Sequence, residues 1–165
     1  MQAGPRSNQA GHLQSAGSIP GQREGASVTP EEQLELVKKH YALNAAGDYP
    51  AAQELLTDDF FITIPSYMPF AGVYRGKGAF RELIPIVVET VAVTGMEFVA
   101  TTVGGDYAVE IVEFTLAGDA GPPFQAAEVI RFRGNQICEI RPFYFDPAPM
   151  IAAAARRNPT ESSRG

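Results

Sequence analysis

The chain is poor in the residues that build metal and redox centres. Its 165 residues include one cysteine, Cys138, and two histidines, His12 and His40. A single cysteine excludes an intrachain disulfide and a cysteine metal cluster. Within a strand pattern, Cys138 is expected to be a packed, inert thiol. His12 lies in a low-complexity stretch far from His40, so a histidine-built metal site has almost no ligands to draw on. The chemistry is therefore expected to need no metal and no cofactor. Long apolar runs are also missing. None approaches the ~18 residues that span a bilayer, and the N-terminus lacks the apolar core of a signal peptide. A cytoplasmic protein with no membrane partner is the expectation. Basic charge is in deficit too: 13 Lys and Arg stand against 19 Asp and Glu, giving a net charge of −6 and a pI near 4.9. That balance argues against a nucleic-acid partner.

Hydrophobic residues make up 45% of the chain, enough for one domain with a real core. Residues 1–28 are rich in Gly, Ser, Gln and Ala and read as a disordered extension. The folded domain is expected over 29–150, with a tail over 151–165 in which a short helix could run from Met150 to Arg157. Thr29-Pro30-Glu31-Glu32 is a capping box with proline at the first helical position. The helix it opens should reach Ala46, where Gly47 stops it. Its inward stripe is Leu34, Val37, Tyr41 and Asn44 or Ala45, widened by Leu36, His40 and Leu43. A short helix over Pro50–Leu56 and a strand over Phe60–Ile64 follow. The loop Pro65–Arg75 carries Tyr67, Met68 and Phe70, which suits a pocket mouth. A third helix spans Gly76–Val93, with Pro85 expected to kink it or to mark a late first turn. Strands follow over Met96–Thr102 and Tyr107–Leu116, with a turn over Gly118–Pro123.

Ala126–Asp146 organises the second half. Gly134-Asn135 separates two apolar runs, which is a hairpin signal. Side chains alternate along a strand. Glu128 therefore shares a face with Ile130 and Phe132, and Ile140 and Pro142 share one with Tyr144. On the preceding strand, Glu110 shares a face with Val112 and Phe114. A carboxyl among large apolar residues is either a buried functional acid or an edge group reaching water. Pro142 within a strand suggests a bulge, which would exchange the faces of Phe143 and Tyr144. The element order is α+β, with helices from the N-terminal half on one face of a curved, mostly antiparallel sheet. Phe60, Ile62, Phe70, Val112, Phe114 and Ile130 are the candidate apolar lining of a cavity between them. On the other face Val109, Ile111, Phe143 and Phe145 are too apolar for a solvated sheet, so a homodimer through that face is expected.

Four segments carry a resemblance: Tyr41–Asp48, YALNAAGD; Leu55–Phe60, LLTDDF; Ala71–Phe80, AGVYRGKGAF; and Ile137–Asp146, ICEIRPFYFD. Together they resemble the nuclear transport factor 2-like superfamily, in its SnoaL-like and ketosteroid-isomerase-like branch, over about residues 30–150. The resemblance implies a cone-shaped α+β barrel, usually dimeric. Its members include isomerases, polyketide cyclases, epoxide hydrolases, dehydratases and non-catalytic binders. In the isomerases a general-base Asp precedes the proline ending the first strand. That place is Ile64 here, so that base is missing. Their oxyanion-hole Tyr falls at His40, with Tyr41 adjacent, and their second oxyanion acid falls at Glu128 in EVIRF. Such an acid is kept protonated by an apolar site. Tyr144 falls on the cavity side of the last strand. In SnoaL-like cyclases an acid on the last strands acts as acid/base, a role open to Asp146 or Glu128. The arginine and paired aspartates of limonene-epoxide-hydrolase-like members are absent.

Glu128, His40, Tyr144 and Glu110 are thus the candidate catalytic residues, and Tyr67 joins the six apolar residues above as candidate substrate contacts. The constellation suits proton transfer next to a carbonyl in a small apolar compound: isomerisation, cyclisation or dehydration without a cofactor. The alternative is a non-catalytic domain of the same fold that binds a small apolar ligand or only dimerises.

Overall fold

The computed structural model describes residues 28–118 and 123–157 of the chain. The expected N-terminal extension, the turn centred on 119–122 and the last eight residues lie outside them. Helix α1 (Pro30–Ala45) and the short α2 (Tyr49–Gln53) precede strand β1 (Leu56–Ile64) and β2 (Gly72–Arg75). Helix α3 (Ala79–Val91) leads into the four strands β3 (Val93–Gly104), β4 (Tyr107–Leu116), β5 (Phe124–Arg133) and β6 (Gln136–Tyr144), and α4 (Ala148–Arg157) ends the fold. The six strands form one sheet in the order β2-β1-β6-β5-β4-β3. Only β1 and β6 pair in parallel, and the other neighbours are antiparallel.

The chain enters α1 through the capping box: Thr29 Oγ1 accepts from the Glu32 amide, and the Glu32 carboxylate accepts from the Thr29 amide. The buried side of α1 carries Gln33, Val37, His40 and Tyr41. Leu34, expected there, is only half-buried. Gln33 takes the first position for a polar reason: its Nε2 donates to the carbonyl of Gly105, at 2.8 Å. Gly105 sits in the β3–β4 turn with a φ of +57°, a conformation that suits glycine. One side chain thus ties the start of α1 to the far end of the sheet.

β1 begins four residues earlier than its apolar core suggests. Thr57-Asp58-Asp59, which falls between the expected short helix and the expected strand, lies inside β1 where its register against β6 shifts, and its acids find cations. Asp59 meets Arg133 at 2.8 Å and Asp58 meets Lys77 at 3.1 Å. The β5–β6 hairpin turns at Gly134, φ +61°, as expected. Its irregularity is not at Pro142. Phe132 pairs with Ile137 and Arg131 with Glu139, so the extra residue is Cys138. The thiol there donates to the Arg131 carbonyl at 3.5 Å. Beyond this bulge the register is unbroken through Glu128↔Pro142 and Ala126↔Tyr144. The β1 ladder reaches only Ile140, so the missing N–H of Pro142 removes no bond from it. Tyr144 therefore stays on the inner face, with Ile140 and Pro142.

The helices cover the concave face of the sheet: α1 over β3 and β4, α3 over β1, β2 and β3, and α4 against α3. α3 continues through Pro85 and ends at Ala92, which adopts the left-handed conformation at φ 55°. α4 buries Met150, Ala153 and Ala154, so the packed structure reaches beyond residue 150. No helix among the described residues is long and apolar enough to cross a membrane.

Candidate functional site

A cavity of about 400 Å³ lies between the sheet and the helices. Its sheet wall includes Ile62 and Ile64 of β1, Phe114 of β4, and Ile140 and Pro142 of β6. Its helical wall includes Phe80, Leu83 and Val87 of α3 and Met150 of α4. Into this apolar space project five polar side chains: Tyr41, Asn44, Tyr49, Glu128 and Tyr144. Glu128 is the one ionised-type group among the lining residues.

Glu128 reaches the cavity because β5 alternates. Ala126, Ile130 and Phe132 are buried on its inner face, and Glu128 falls in phase with them, half-buried at the cavity wall. Tyr41 comes from the opposite layer and donates its hydroxyl to Glu128 Oε2 in a short hydrogen bond. Among the described residues, no arginine pairs with the carboxylate. Arg141 pairs with Glu139, and Arg131 lies over the Tyr107 ring at 5.9 Å. Burial therefore lifts the pKa of Glu128 to about 7. The Tyr41 hydrogen bond pulls it back, and the nearby Glu110 carboxylate pushes it further up. Burial likewise raises the hydroxyls of Tyr41 and Tyr144 far above the usual phenol range, with Glu128 adding to both. At neutral pH both tyrosines are donors and Glu128 is poised near half-ionisation.

Glu110 is paired with Glu128 directly across the β4–β5 ladder. It is 2% exposed and does not line the cavity; it sits in the wall beside Glu128. Its Oε2 accepts from Thr101 Oγ1, while its Oε1 is buried without a partner. Burial raises its pKa, opposed by the Thr101 hydrogen bond and the field of Lys38.

His40 is not where the resemblance would put an oxyanion donor. Its ring is fully buried against Phe80, with centroids 4.7 Å apart, and stays out of the cavity lining. Nε2 lies 3.1 Å from Asn44 Nδ2, and Nδ1 has no partner. Burial lowers its pKa to about 4, so it is neutral under ordinary conditions. Tyr41, one residue on, takes the donor position instead. Successive helix residues differ by about 100° in direction, and the sequence stripe already contained Tyr41. Tyr67 is 52% exposed and does not line the cavity; Met68 and Phe70 of the same loop turn inward. Of the remaining candidates, Ile62, Phe70 and Phe114 line the cavity, while Phe60, Val112 and Ile130 form the core behind it. Asp146 is exposed and caps α4, accepting from the Ala148 amide at 3.0 Å, so Glu128 is the acid that remains from the last strands. Asn44, Tyr49 and Met96 are lining residues that the sequence did not single out as contacts. Asn44 lies one helical turn after Tyr41, so the stripe that holds Tyr41 could have found it. Among the described residues, no group of three or more His, Cys, Asp or Glu is arranged to hold a metal ion.

A curved six-stranded sheet wrapped over helices, with a polar cluster inside an apolar cone, defines a nuclear transport factor 2-like α+β domain. The chain belongs to the SnoaL-like domain family, whose model matches residues 37–140. No curated protein matches it. Among solved structures, an NTF2-like protein from Burkholderia xenovorans LB400 is 20% identical, with a TM-score of 0.62 over 78% of this chain and 99% of that one. Bal32a, from a soil-derived mobile gene cassette, is 17% identical, with a TM-score of 0.65 over 76% and 98%. A de novo designed protein with a curved β-sheet is also similar, at 17% identity and a TM-score of 0.57 over 76% and 93%. At these identities the likeness is one of fold.

Proposed function

We propose that the protein is a cofactor-independent acid/base enzyme that isomerises, cyclises or dehydrates a small apolar carbonyl compound in the cone cavity. The observation carrying this reading is Glu128: an uncompensated carboxyl at the wall of an apolar void, held by Tyr41 and raised to about 7. A carboxyl at that value can both remove and return a proton near neutral pH. Tyr41 occupies Oε2, which leaves Oε1 for the substrate. Tyr144 is the donor for the carbonyl oxygen, where charge develops as the enolate forms. Ile62, Phe70 and Phe114 hold the apolar body of the substrate. His40, neutral and packed on Phe80, fixes α1 against α3 and takes no part in proton transfer. Acid/base help of this kind contributes ~10²–10⁴-fold.

The test is exchange of α-protons. Cyclic enones and aryl ketones are incubated with the protein in D₂O, and loss of the α-proton signal is followed by NMR. Exchange that disappears in Glu128→Gln and weakens in Tyr144→Phe supports the reading. Exchange no faster than with Glu128→Gln would refute it. The second reading, a binding domain without chemistry, then stands. Its support is Ile64, which lines the cavity at the place where the resemblance puts a general base.

The outer sheet face supports a homodimer. Phe143 is 51% exposed and Phe145 is 91% exposed, with Val109 and Ile111 half-buried alongside. Sedimentation should give a dimer for the wild type and a monomer for Phe143→Glu. A wild-type monomer at high micromolar concentration would exclude this interface.

A further inference from the structure

Asn44 is the one amide side chain among the described residues lining the cavity, and the proposed proton transfer does not use it. It lies on α1, about one helical turn and ~4.5 Å along the axis beyond Tyr41. Its Nδ2 is committed to His40. One hydrogen goes to the His40 carbonyl oxygen at 2.9 Å, and the other is directed at His40 Nε2 at 3.1 Å. The reversed amide is excluded, because Oδ1 would then face the carbonyl oxygen, acceptor against acceptor. His40 Nε2 therefore accepts, and the imidazole hydrogen is on Nδ1. The histidine itself cannot swing away: it is 0% exposed and packed on Phe80. The remaining polar atom, Asn44 Oδ1, accepts from no donor among the described residues. Asn44 thus offers the cavity it lines an acceptor and no donor.

We propose that Asn44 is a specificity-determining residue and that the ligand is a hydroxylated ketone, with a hydroxyl on its apolar body that donates to Asn44 Oδ1. The inference rests on the reading that places the ligand's carbonyl at Tyr144 and Glu128, and it adds the second polar point of the ligand. A second carbonyl or an ether oxygen at that point would meet Oδ1 as acceptor against acceptor. A hydrocarbon would strip water from Oδ1 and put nothing in its place, which costs free energy. A donor satisfies it. A neutral hydroxyl suits the amide better than an ammonium group, since Asn44 carries no charge to pair with a buried cation. His40 fixes the amide before any ligand arrives, so binding adds little ordering cost at this residue. The polar lining then reads two features of one molecule: the carbonyl by donors, the hydroxyl by an acceptor.

The experiment compares tetralone, a set of hydroxytetralones with the hydroxyl at each ring position, and their methyl ethers, by calorimetric titration of the full chain. At least one hydroxytetralone should bind about tenfold more tightly than tetralone, as one added hydrogen bond gives. Its methyl ether, which cannot donate, should lose that gain. In Asn44→Leu the ratio should fall to about one. General damage to the fold would weaken both ligands alike and leave the ratio unmoved. In proton–nitrogen correlation spectra of the wild type, the Asn44 side-chain amide should shift further with the hydroxytetralone than with tetralone; if Asn44→Leu does not fold, that shift decides the assignment. Equal affinities across the set, no binding of any hydroxytetralone, or an undiminished ratio in folded Asn44→Leu would overturn the proposal. The α-proton exchange assay reads the enzyme separately. Absent exchange with the hydroxyl preference intact would sink only the enzyme reading. Exchange with no hydroxyl preference would sink only this one.

Discussion

Replacing Glu128 by Gln should stabilise the protein, and by an amount that depends on pH. The folded state binds the Glu128 proton up to about pH 7, whereas the unfolded chain releases it near 4.5. Between those values the folded state carries the extra proton, so stability falls as pH rises, by about 1.4 kcal/mol for each pH unit. This favourable term is fully present below the unfolded value and is lost by the time pH passes the folded one. The total is about 3 kcal/mol, an upper figure, because water entering the cavity would screen the anion. His40 runs the other way. Folded, it stays neutral down to about pH 4, while the unfolded chain protonates it near 6.5, so its contribution rises with pH over that interval. The two slopes largely cancel in the wild type, which should look nearly flat between pH 5 and 6.5. The difference between variant and wild type removes the histidine. Urea unfolding at pH 4.5 and at pH 8 should show Glu128→Gln gaining about 3 kcal/mol relative to wild type between the two conditions. A pH-independent difference would mean that Glu128 is solvated and ordinary in the folded protein. A difference of opposite sign would mean a buried cation pairs with it.

Tyr41→Phe removes the one donor to Glu128 Oε2. A hydrogen bond to a charged group contributes about 1.5–3 kcal/mol, and its loss should drive the Glu128 midpoint above 7. The pH profile of α-proton exchange should move to the alkaline side and fall in height; an unmoved profile would contradict the pairing. Val87→Phe adds volume on the α3 side of the cavity. Stability in urea should hold or rise by about 0.5–2 kcal/mol, as cavity filling does, while binding of an enone probe is lost. Retained binding would show that the ligand lies elsewhere. Glu128 with Glu110 inside its wall leaves the cavity with no cation among its lining residues. A ligand carrying a carboxylate should therefore bind at least about tenfold more weakly than its neutral ester by fluorescence or calorimetric titration, and equal affinities would show the pair to be neutral.

The sequence carried the fold in its punctuation. The capping box at Thr29, the glycine at the β5–β6 turn and the strict alternation of β4 all act locally, and each was realised. The inward position of Glu128 was legible for the same reason, since one residue of alternation decides it. The errors came where a choice depended on distant partners. His40 and Tyr41 both lie near the buried side of α1, and only the position of β5 selects which one meets Glu128. Asp58 and Asp59 fall outside the apolar strand pattern, and only the distant Lys77 and Arg133 supply their partners within β1. Pro142 suggested a bulge, but the proline falls beyond the end of the β1 ladder, and the extra residue is Cys138. The apolar character of its loop suggests Tyr67 for the pocket mouth, yet it is exposed and off the cavity lining, because neighbouring loop residues need not share a direction. The Glu110–Glu128 pairing required the register of two strands, which no local pattern fixes.

One carboxyl lining the cavity also constrains the chemistry. An isomerase with two titratable groups on opposite walls can remove a proton from one face of its substrate and add another to the opposite face. Here Glu128 is the lone carboxyl among the described residues lining the void, and the tyrosines are held as donors far above their usual range. Under the proposed function, the group that removes the α-proton is then the group that returns it. The proton would stay on Glu128 Oε1 during the lifetime of the enolate, enclosed by apolar residues and away from bulk water. An enone labelled with deuterium at the position losing its proton should therefore keep part of the label in the product, delivered to the same face. NMR of the product formed in H₂O reads both the retained deuterium and its stereochemistry. Complete loss of label would mean that the acid exchanges with solvent faster than it delivers the proton. Delivery to the opposite face would require a second acid, and the lining residues offer none beyond the tyrosines.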